Sequence, residues 1–154
     1  MCDFWRAVPT GRFFIIRGFD EDSSERVEPG VIFDAILPIW RVGEALLHAA
    51  GMAKEMKRNE NSEVNIKFRV MYSGLAGRVL RSWAGPLNNF MIEGKAATSN
   101  EAVLEILAPA ADVDKNLSHY LYPFISSLYE RFGVSGLSED FVRSEVSRLQ
   151  HSRA

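Results

Sequence analysis

The sequence predicts an α+β domain in which a mainly antiparallel β-sheet is packed on one face by a central helix and two C-terminal helices. Three patterns predict this class. Residues 63–72 alternate between apolar and polar side chains, residues 38–57 have the period of an amphipathic helix, and two further helical segments end the chain. We expect a single domain over residues 11–150, preceded by an N-terminal tail at residues 1–10.

The composition argues against several classes of protein. A net charge of −2 gives no general attraction to phosphate backbones, and the one cysteine, Cys2, cannot form an internal disulfide framework. The chain has no apolar run of the roughly 20 residues that span a bilayer. Its start lacks a basic segment followed by an apolar stretch. We therefore expect a cytoplasmic protein with no membrane segment.

The first part of the domain combines two short strands with an acidic loop. Residues 12–19 form the first expected strand, and it should be an inner strand because apolar side chains alternate onto both of its sides. The acidic run at residues 20–30 favours a solvated turn; a site for Mg²⁺ or Ca²⁺ is the less favoured reading, because the spacing of the acids does not match a calcium loop. The second strand, at residues 31–37, leads directly into the central helix.

The central helix carries two lines of residues with helical spacing. Pro38 suits the first turn, where its missing N–H has no intrahelical partner. The polar line consists of Arg41, Glu44 and His48 on one flank. The apolar line should be buried and contains Ile39, Val42, Leu46, Ala49, Ala53 and Met56.

The remaining elements follow from alternation and from helix boundary residues. The strand at residues 63–72 should turn one face to the core and a basic face, with Lys67 and Arg69, to water. A fourth strand at 78–83 should form a hairpin with it, and further strands are expected at 90–92 and 102–107.

Two helices should close the chain. Asp112 is the expected N-cap of a helix that runs to Phe132 and contains Pro123, and Gly133 should end it. Ser138 should cap the last helix.

Two segments are candidates for chemistry. Glu44 beside His48 could tune a general base, with Arg41 holding an anion, or the three could form a polar network that only orients the helix. The glycines of residues 72–78 could cradle a phosphate, although a hairpin turn is favoured, because no Lys-Ser/Thr ending follows them. Trp40 could line an aromatic pocket, with core packing as the default. The three histidines lack ligand spacing, so we expect no metal site and no cofactor.

Several stretches together resemble a known family. They are residues 14–23 (FIIRGFDEDS), 37–44 (LPIWRVGE), 74–78 (GLAGR) and 128–132 (LYERF). They resemble the C-terminal region of bacterial proteins whose N-terminal part is a Schlafen-like, AlbA-type DNA-binding or ATP-binding domain, described as transcriptional regulators. The AlbA-like domain is absent from this sequence, so the chain resembles a C-terminal accessory domain of a larger protein.

The resemblance implies recurring polar positions at Arg17, Arg41, Glu44 and Arg78. We hypothesise that folding gathers them into one network, which with Trp40 and His48 makes up the candidate ligand-binding set; no residue is assigned as catalytic.

The leading functional hypothesis is a non-enzymatic accessory or sensor module that regulates an attached DNA-binding domain. It would do so by binding that domain, a partner protein or a small anion, and a homo-oligomer is an option. One alternative is a hydrolase or nuclease-like enzyme using Glu44 and His48. Another is direct nucleic-acid binding through Lys67, Arg69 and Arg81.

Overall fold

The computed structural model describes residues 4–82 and 93–152, and within them the predicted α+β fold is confirmed. Short strands form three small sheets, and helices pack against them around a shared apolar core. The strands are β1 (Phe4–Val8), β2 (Arg12–Ile16), β3 (Ile32–Asp34), β4 (Asn65–Ser73), β5 (Val79–Arg81), β6 (Glu93–Ala96) and β7 (Glu101–Pro109). The helices are α1 (Leu37–Glu55), α2 (Leu117–Glu130) and α3 (Glu139–His151), and a 3-10 helix (Asp20–Ser23) precedes β3.

The strands are divided among three sheets, whereas the sequence suggested one. Strands β1 and β2 pair only with each other in the described residues, as do β4 and β7, and both pairs are antiparallel. Strand β5 lies between β3, to which it is parallel, and β6, to which it is antiparallel. The mainly antiparallel character is therefore confirmed, and the one parallel pair among the described strands, β3 with β5, includes the strand that precedes the central helix.

Helix α1 lies at the centre of the core, as its apolar period predicts. Ile39, Val42 and Leu46 are almost completely buried, whereas Met56, which we predicted on the same face, is exposed just beyond the end of the helix. A Cβ atom added at Gly43 would lie 2.8 Å from Leu149 Cδ2 of α3. The glycine therefore allows the two helices to approach closely.

The alternation predicted for β4 is confirmed. Ile66 is buried and Phe68, Val70 and Tyr72 are half-buried, while the residues between them are exposed. The predicted hairpin between β4 and the next strand is wrong. Gly74 and Gly77 both have positive φ, and the amides of Leu75 and Gly77 donate to Asn100 and Ala97, which carries the chain into the β3–β5–β6 sheet. The strand predicted at 90–92 lies outside the described residues.

The two C-terminal helices are present, but both ends of α2 differ from the prediction, because it ends at Glu130 and not at Phe132. Helix α2 begins at Leu117, so the predicted start at Asp112 is wrong. The Asp112 carboxylate instead accepts hydrogen bonds from Asn116 Nδ2 (2.7 Å) and the Tyr120 hydroxyl (2.6 Å). Gly133 follows α2 with φ of 70°, and Ser138 occupies the N-cap position of α3, as predicted.

In the described ranges, none of the helices combines the length and apolarity needed to cross a membrane.

The N-terminal strands differ most from expectation. Residues 4–8 form β1 instead of a tail, and the strand predicted at 12–19 ends at Ile16 and is not an inner strand. Strands β1 and β2 form a two-stranded ribbon, closed by a turn at Gly11 with φ of 80°, and most of its side chains are exposed. We call β1 and β2 together the N-terminal ribbon.

Candidate functional site

Arg78 is a buried cation that joins three parts of the fold. Its side chain is only 6% exposed, and its Nη1 and Nη2 atoms donate to Asp22 Oδ1 and Oδ2 at 2.8 and 2.5 Å. Nε donates to the Gly74 carbonyl at 2.7 Å, and Nη1 also donates to the Ile32 carbonyl at 2.8 Å. The guanidinium carbon lies 4.1 Å from the centroid of the Phe19 ring. Arg78 therefore ties the 3-10 helix, β3 and the turn after β4 together.

Arg41 holds the same acidic segment from the side of α1. It forms an ion pair with Asp20, and its Nη1 donates to the Gly18 carbonyl at 3.3 Å. The side chains of Arg41 and Asp20 are about one-quarter exposed, so this pair lies at the protein surface. We call Asp20, Glu21 and Asp22 together with Arg41 and Arg78 the acidic clasp.

The middle acid of the clasp is buried against the start of α1. Glu21 is 3% exposed, and its Oε1 accepts the Asp34 amide at 2.9 Å. Asp34 Oδ1 in turn accepts the amides of Ile36 and Leu37 at 2.6 and 2.7 Å, which satisfies donors at the first turn of α1. The acidic 3-10 helix is therefore connected through Asp34 to the N-terminus of the central helix.

The pKa values of Glu21 and Asp22 shift in opposite directions. Burial raises the pKa of Glu21, and the nearby Asp34 charge adds to that rise, while hydrogen bonds from backbone amides and the charge of Arg78 oppose it. The hydrogen bond from Arg78 lowers the pKa of Asp22. Ionisation of Glu21 therefore costs folding free energy, whereas ionisation of Asp22 is favoured.

Replacing Glu21 by glutamine should raise stability at neutral pH and flatten its pH dependence. Glutamine keeps a carbonyl oxygen for the Asp34 amide but carries no buried charge. Because the folded-state pKa of Glu21 is raised above 4.5, the folded wild type binds the extra proton, and its stability falls as pH rises from 4.5 through the raised pKa.

Urea unfolding at a series of pH values measures this. The gain in Glu21→Gln should shrink as pH falls towards 4.5, the value of the unfolded group. A gain that is equal at all pH values, or a loss confined to neutral pH, would contradict the assignment.

The structure gathers part of the predicted set. Arg41 and Arg78 both contact the segment of residues 18–22, although the aspartates that pair with them there are Asp20 and Asp22, whereas the prediction placed Glu44 at the centre. Arg17 is exposed and immediately precedes this segment. The reading of residues 20–30 as a solvated turn is wrong for the 3-10 helix, because each of its three acids accepts a hydrogen bond or an ion pair from another part of the fold.

Trp40 and His48 make contacts elsewhere. Trp40 Nε1 donates to Glu145 Oε2 at 3.1 Å, and Glu145, which is 2% exposed, also accepts from Arg148 at 3.0 Å. Trp40 therefore joins α1 to α3. His48 is exposed, with Nδ1 2.9 Å from the Glu44 carbonyl oxygen, and it lines an open groove together with Lys54, Asp114 and Gln150.

The clasp offers no metal centre. In the part of the chain that the structure describes, no three His, Cys, Asp or Glu side chains are placed to hold a metal ion. The predicted site did not include Asp20, Glu21 and Asp22, because a local run of acids does not show which distant cations will pair with it.

The cations of the predicted basic face each lie near a carboxylate. Lys67 and Arg69 on β4 both lie near Glu105 of β7, at 3.6 and 3.8 Å, and Arg81 on β5 pairs with Glu93 at 2.7 Å. Arg81 also belongs to another sheet. These three cations therefore do not form one basic surface for phosphates.

Comparison with known proteins gives no match, whether with family models, with curated proteins or with solved structures. The resemblance to the C-terminal region of Schlafen-like, AlbA-type proteins therefore stays a prediction.

Proposed function

We propose that this chain is a non-enzymatic accessory module that docks on a partner protein or an attached domain through the N-terminal ribbon. The observation that carries the proposal is the exposure of large apolar side chains on both faces of the ribbon. Trp5 is 66% exposed, and Phe4, Phe14 and Ile16 are 53–54% exposed. Exposed apolar patches of this kind mark interaction sites in soluble proteins.

The acidic clasp attaches the end of the ribbon to the core of the protein. Strand β2 ends at Ile16, and two residues later Arg41 of the clasp contacts the Gly18 carbonyl. The next residues are fixed by Arg78, which packs over Phe19 and pairs with Asp22. The base of the ribbon is therefore attached to the core, so that docking at the ribbon can be transmitted to α1.

The partner class follows from the resemblance. If it holds, the partner is an attached DNA-binding domain, and the module regulates it by contact. The small-anion version of the hypothesis stays a prediction with less support. Asp22 and two backbone carbonyls already occupy the Nε, Nη1 and Nη2 atoms of Arg78, and the guanidinium is buried.

The other functions draw no support from the geometry. The enzyme reading requires Glu44 and His48 to open together into a cleft, yet Glu44 is not among the residues that line the groove containing His48. The nucleic-acid reading requires several cations on one surface, whereas Lys67 and Arg69 share Glu105 on one sheet and Arg81 pairs with Glu93 on another.

Site-specific photo-crosslinking in cells of the source organism tests the docking function. A benzophenone amino acid replaces Trp5 in one variant and Met71, which is 65% exposed on β4, in the matched control. We expect one dominant adduct from position 5 and none of the same mass from position 71. The polypeptide identified in the adduct should co-purify with the wild type and not with Trp5→Ser. Equal crosslinking from both positions, or unchanged co-purification, would exclude the ribbon as the docking surface.

A further inference from the structure

We infer that the partner of the ribbon is a different, acidic polypeptide, which places a carboxylate against Arg6 and apolar side chains against Phe4 and Phe14. The inference rests on the proposed docking function and names the chemistry of the partner. It follows from which side chains share a face of the ribbon, and from the cost of covering a cation that has no counter-ion.

The two faces of the ribbon differ in charge. Directly opposed residues of an antiparallel pair lie on the same face, and alternate residues of each strand share that face. Arg6 is paired with Phe14 and Arg12 is paired with Val8, so both arginines lie on one face. We call this the cationic face; it contains Phe4, Arg6, Val8, Arg12, Phe14 and Ile16. The opposite face, with Trp5, Ala7, Phe13 and Ile15, has no charged side chain.

Arg6 lies among the apolar residues of the cationic face. Phe4 and Val8 are its neighbours on β1, and Phe14 lies opposite on β2. The rings of Phe4 and Phe14 are in edge contact, with centroids 6.3 Å apart. Arg12 lies at the turn end of the same face. A surface that covers Phe4 and Phe14 therefore brings Arg6 into the interface and can leave Arg12 at its rim.

Covering Arg6 removes water from a group that cannot lose its charge, because a guanidinium does not deprotonate in proteins. A cation covered without a counter-ion opposes association strongly. A carboxylate that accepts two parallel hydrogen bonds from the guanidinium compensates the lost hydration. A partner that covers this face must therefore supply a carboxylate.

The ribbon has no carboxylate of its own to do this. Residues 4–17 contain Arg6, Arg12 and Arg17 and no acidic residue, so they carry a charge of +3 in a chain whose net charge is −2. Arg6 and Arg12 are both exposed. The ribbon is a basic element in an otherwise acidic chain, and charge complementarity favours an acidic surface on its partner.

The number of cations favours a polypeptide over a nucleic acid or a lipid surface. Tight binding to a nucleic acid depends on neutralising many phosphates at once, and the cationic face has two arginines. The affinity must come instead from Phe4, Phe14 and Arg6. Aromatic residues and arginine are the types that are enriched in protein–protein interfaces. An acidic and apolar segment of a polypeptide therefore fits this face best.

Selection from a phage-displayed library of random peptides tests the chemistry, with the immobilised chain as the target. We expect the selected peptides to be enriched in Asp or Glu next to apolar residues, relative to the input library. Selection on Arg6→Gln should lose the enrichment in acids. Arg131→Gln, which removes an exposed arginine just beyond α2, is the matched control and should keep it. Selected peptides without an excess of acids, or the same excess on Arg6→Gln, would overturn the inference.

Fluorescence anisotropy with one selected peptide measures the contact between the charges. Arg6→Gln should raise the dissociation constant at least about 30-fold, because it leaves a carboxylate of the peptide unpaired in the interface. Arg12→Gln should raise it less, and its effect should disappear in about 1 M salt, where exposed charges are screened.

A matched peptide separates the ion pair from a structural effect of the substitution. When the acid of the peptide is replaced by its amide, the wild type and Arg6→Gln should bind with the same affinity. A loss of affinity in Arg6→Gln that persists with the amide peptide would overturn the contact between Arg6 and a carboxylate.

Other occupants of the cationic face give different results. Oligothymidylate or vesicles of anionic phospholipid that bind the wild type and not Arg6→Gln would assign the face to phosphate groups. Self-association of the wild type that Arg6→Gln abolishes would assign the face to a second copy. Each of these results overturns the acidic partner.

The outcomes also separate this inference from the docking function. A polypeptide crosslinked at position 5 whose co-purification is unchanged by Arg6→Gln overturns the acidic partner and leaves the docking function standing. A chain that gives neither a specific adduct nor selected peptides overturns both.

Discussion

Replacing Arg78 by alanine is expected to lower the free energy of unfolding by up to about 3–5 kcal/mol, the usual cost of removing one partner from a buried ion pair, because Arg78 is buried although Asp22 is about one-quarter exposed. The substitution leaves Asp22 without its two guanidinium hydrogen bonds and removes donors from the carbonyls of Ile32 and Gly74. It also exposes the face of Phe19 that the guanidinium covers. Urea unfolding monitored by fluorescence measures the change.

Two controls separate the clasp from a general effect of arginine. Arg81→Ala removes an exposed pair with Glu93 and should cost less than about 1 kcal/mol. Arg78→Lys keeps the charge but cannot make the bidentate contact with Asp22, so it should recover only part of the loss. Similar losses for Arg78→Ala and Arg81→Ala would show that the clasp does not hold the fold together.

The pH dependence gives an independent readout of the same pair. Arg78 lowers the pKa of Asp22 below 3.8, so the stabilisation from this pair is present above that value and is lost as pH falls through the lowered folded-state pKa. Arg78→Ala should reduce this loss on the acid side. The Glu21 effect has the opposite sign and lies above pH 4.5, so the two acids can be distinguished in one titration.

Local periodicity was enough to predict the elements whose faces meet a single core. Strand β4 alternates because one of its faces packs on the core and the other meets water, and α1 repeats its apolar residues because one side of it is buried. The fold class followed from these patterns. The division into three sheets did not, because the parallel pairing of β3 with β5 joins residues about 47 positions apart, and no local signal encodes it.

The candidate site was predictable in its cations and not in its acids. Arg41 and Arg78 were identified, but their aspartate partners lie in a run of acids that has the composition of a solvated turn. Asp22 and Arg78 are 56 residues apart in the chain. An excess of carboxylates can be stabilised by water or by buried guanidinium groups, and only the tertiary structure distinguishes the two.

For the ribbon, the sequence predicted burial of a strand that is exposed in the structure. Apolar residues on both sides of β2 indicated a buried inner strand, yet in the described residues both faces are exposed. The pattern reports that the segment is suited to burial and does not report which molecule covers it. The clasp and the ribbon are then complementary. Polar contacts that the sequence did not predict attach residues 18–22 to the core. The exposed apolar surface of the ribbon precedes this segment and is available for a partner.

Phe33→Ala is expected to cost about 3–5 kcal/mol, because it opens a cavity in the aromatic cluster beneath the clasp. The Phe33 side chain stacks on Phe132 with centroids 5.0 Å apart, and it makes edge contacts with Phe19 and Tyr72 at 5.7 and 5.5 Å. Phe4→Ala, at a half-exposed residue of the ribbon, is the matched control and should change the free energy of unfolding by less than about 0.5 kcal/mol.

Thermal and urea unfolding measure the loss of unfolding free energy in both Phe→Ala variants. Phe19 lies between Phe33 and Arg78, so its position depends on both neighbours. The combined variant Phe33→Ala/Arg78→Ala should therefore lose less than the two single losses added, because each substitution already releases the acidic segment. Strictly additive losses of unfolding free energy would mean that the aromatic cluster and the ion pair stabilise separate parts of the fold. The clasp would then not depend on packing against Phe33.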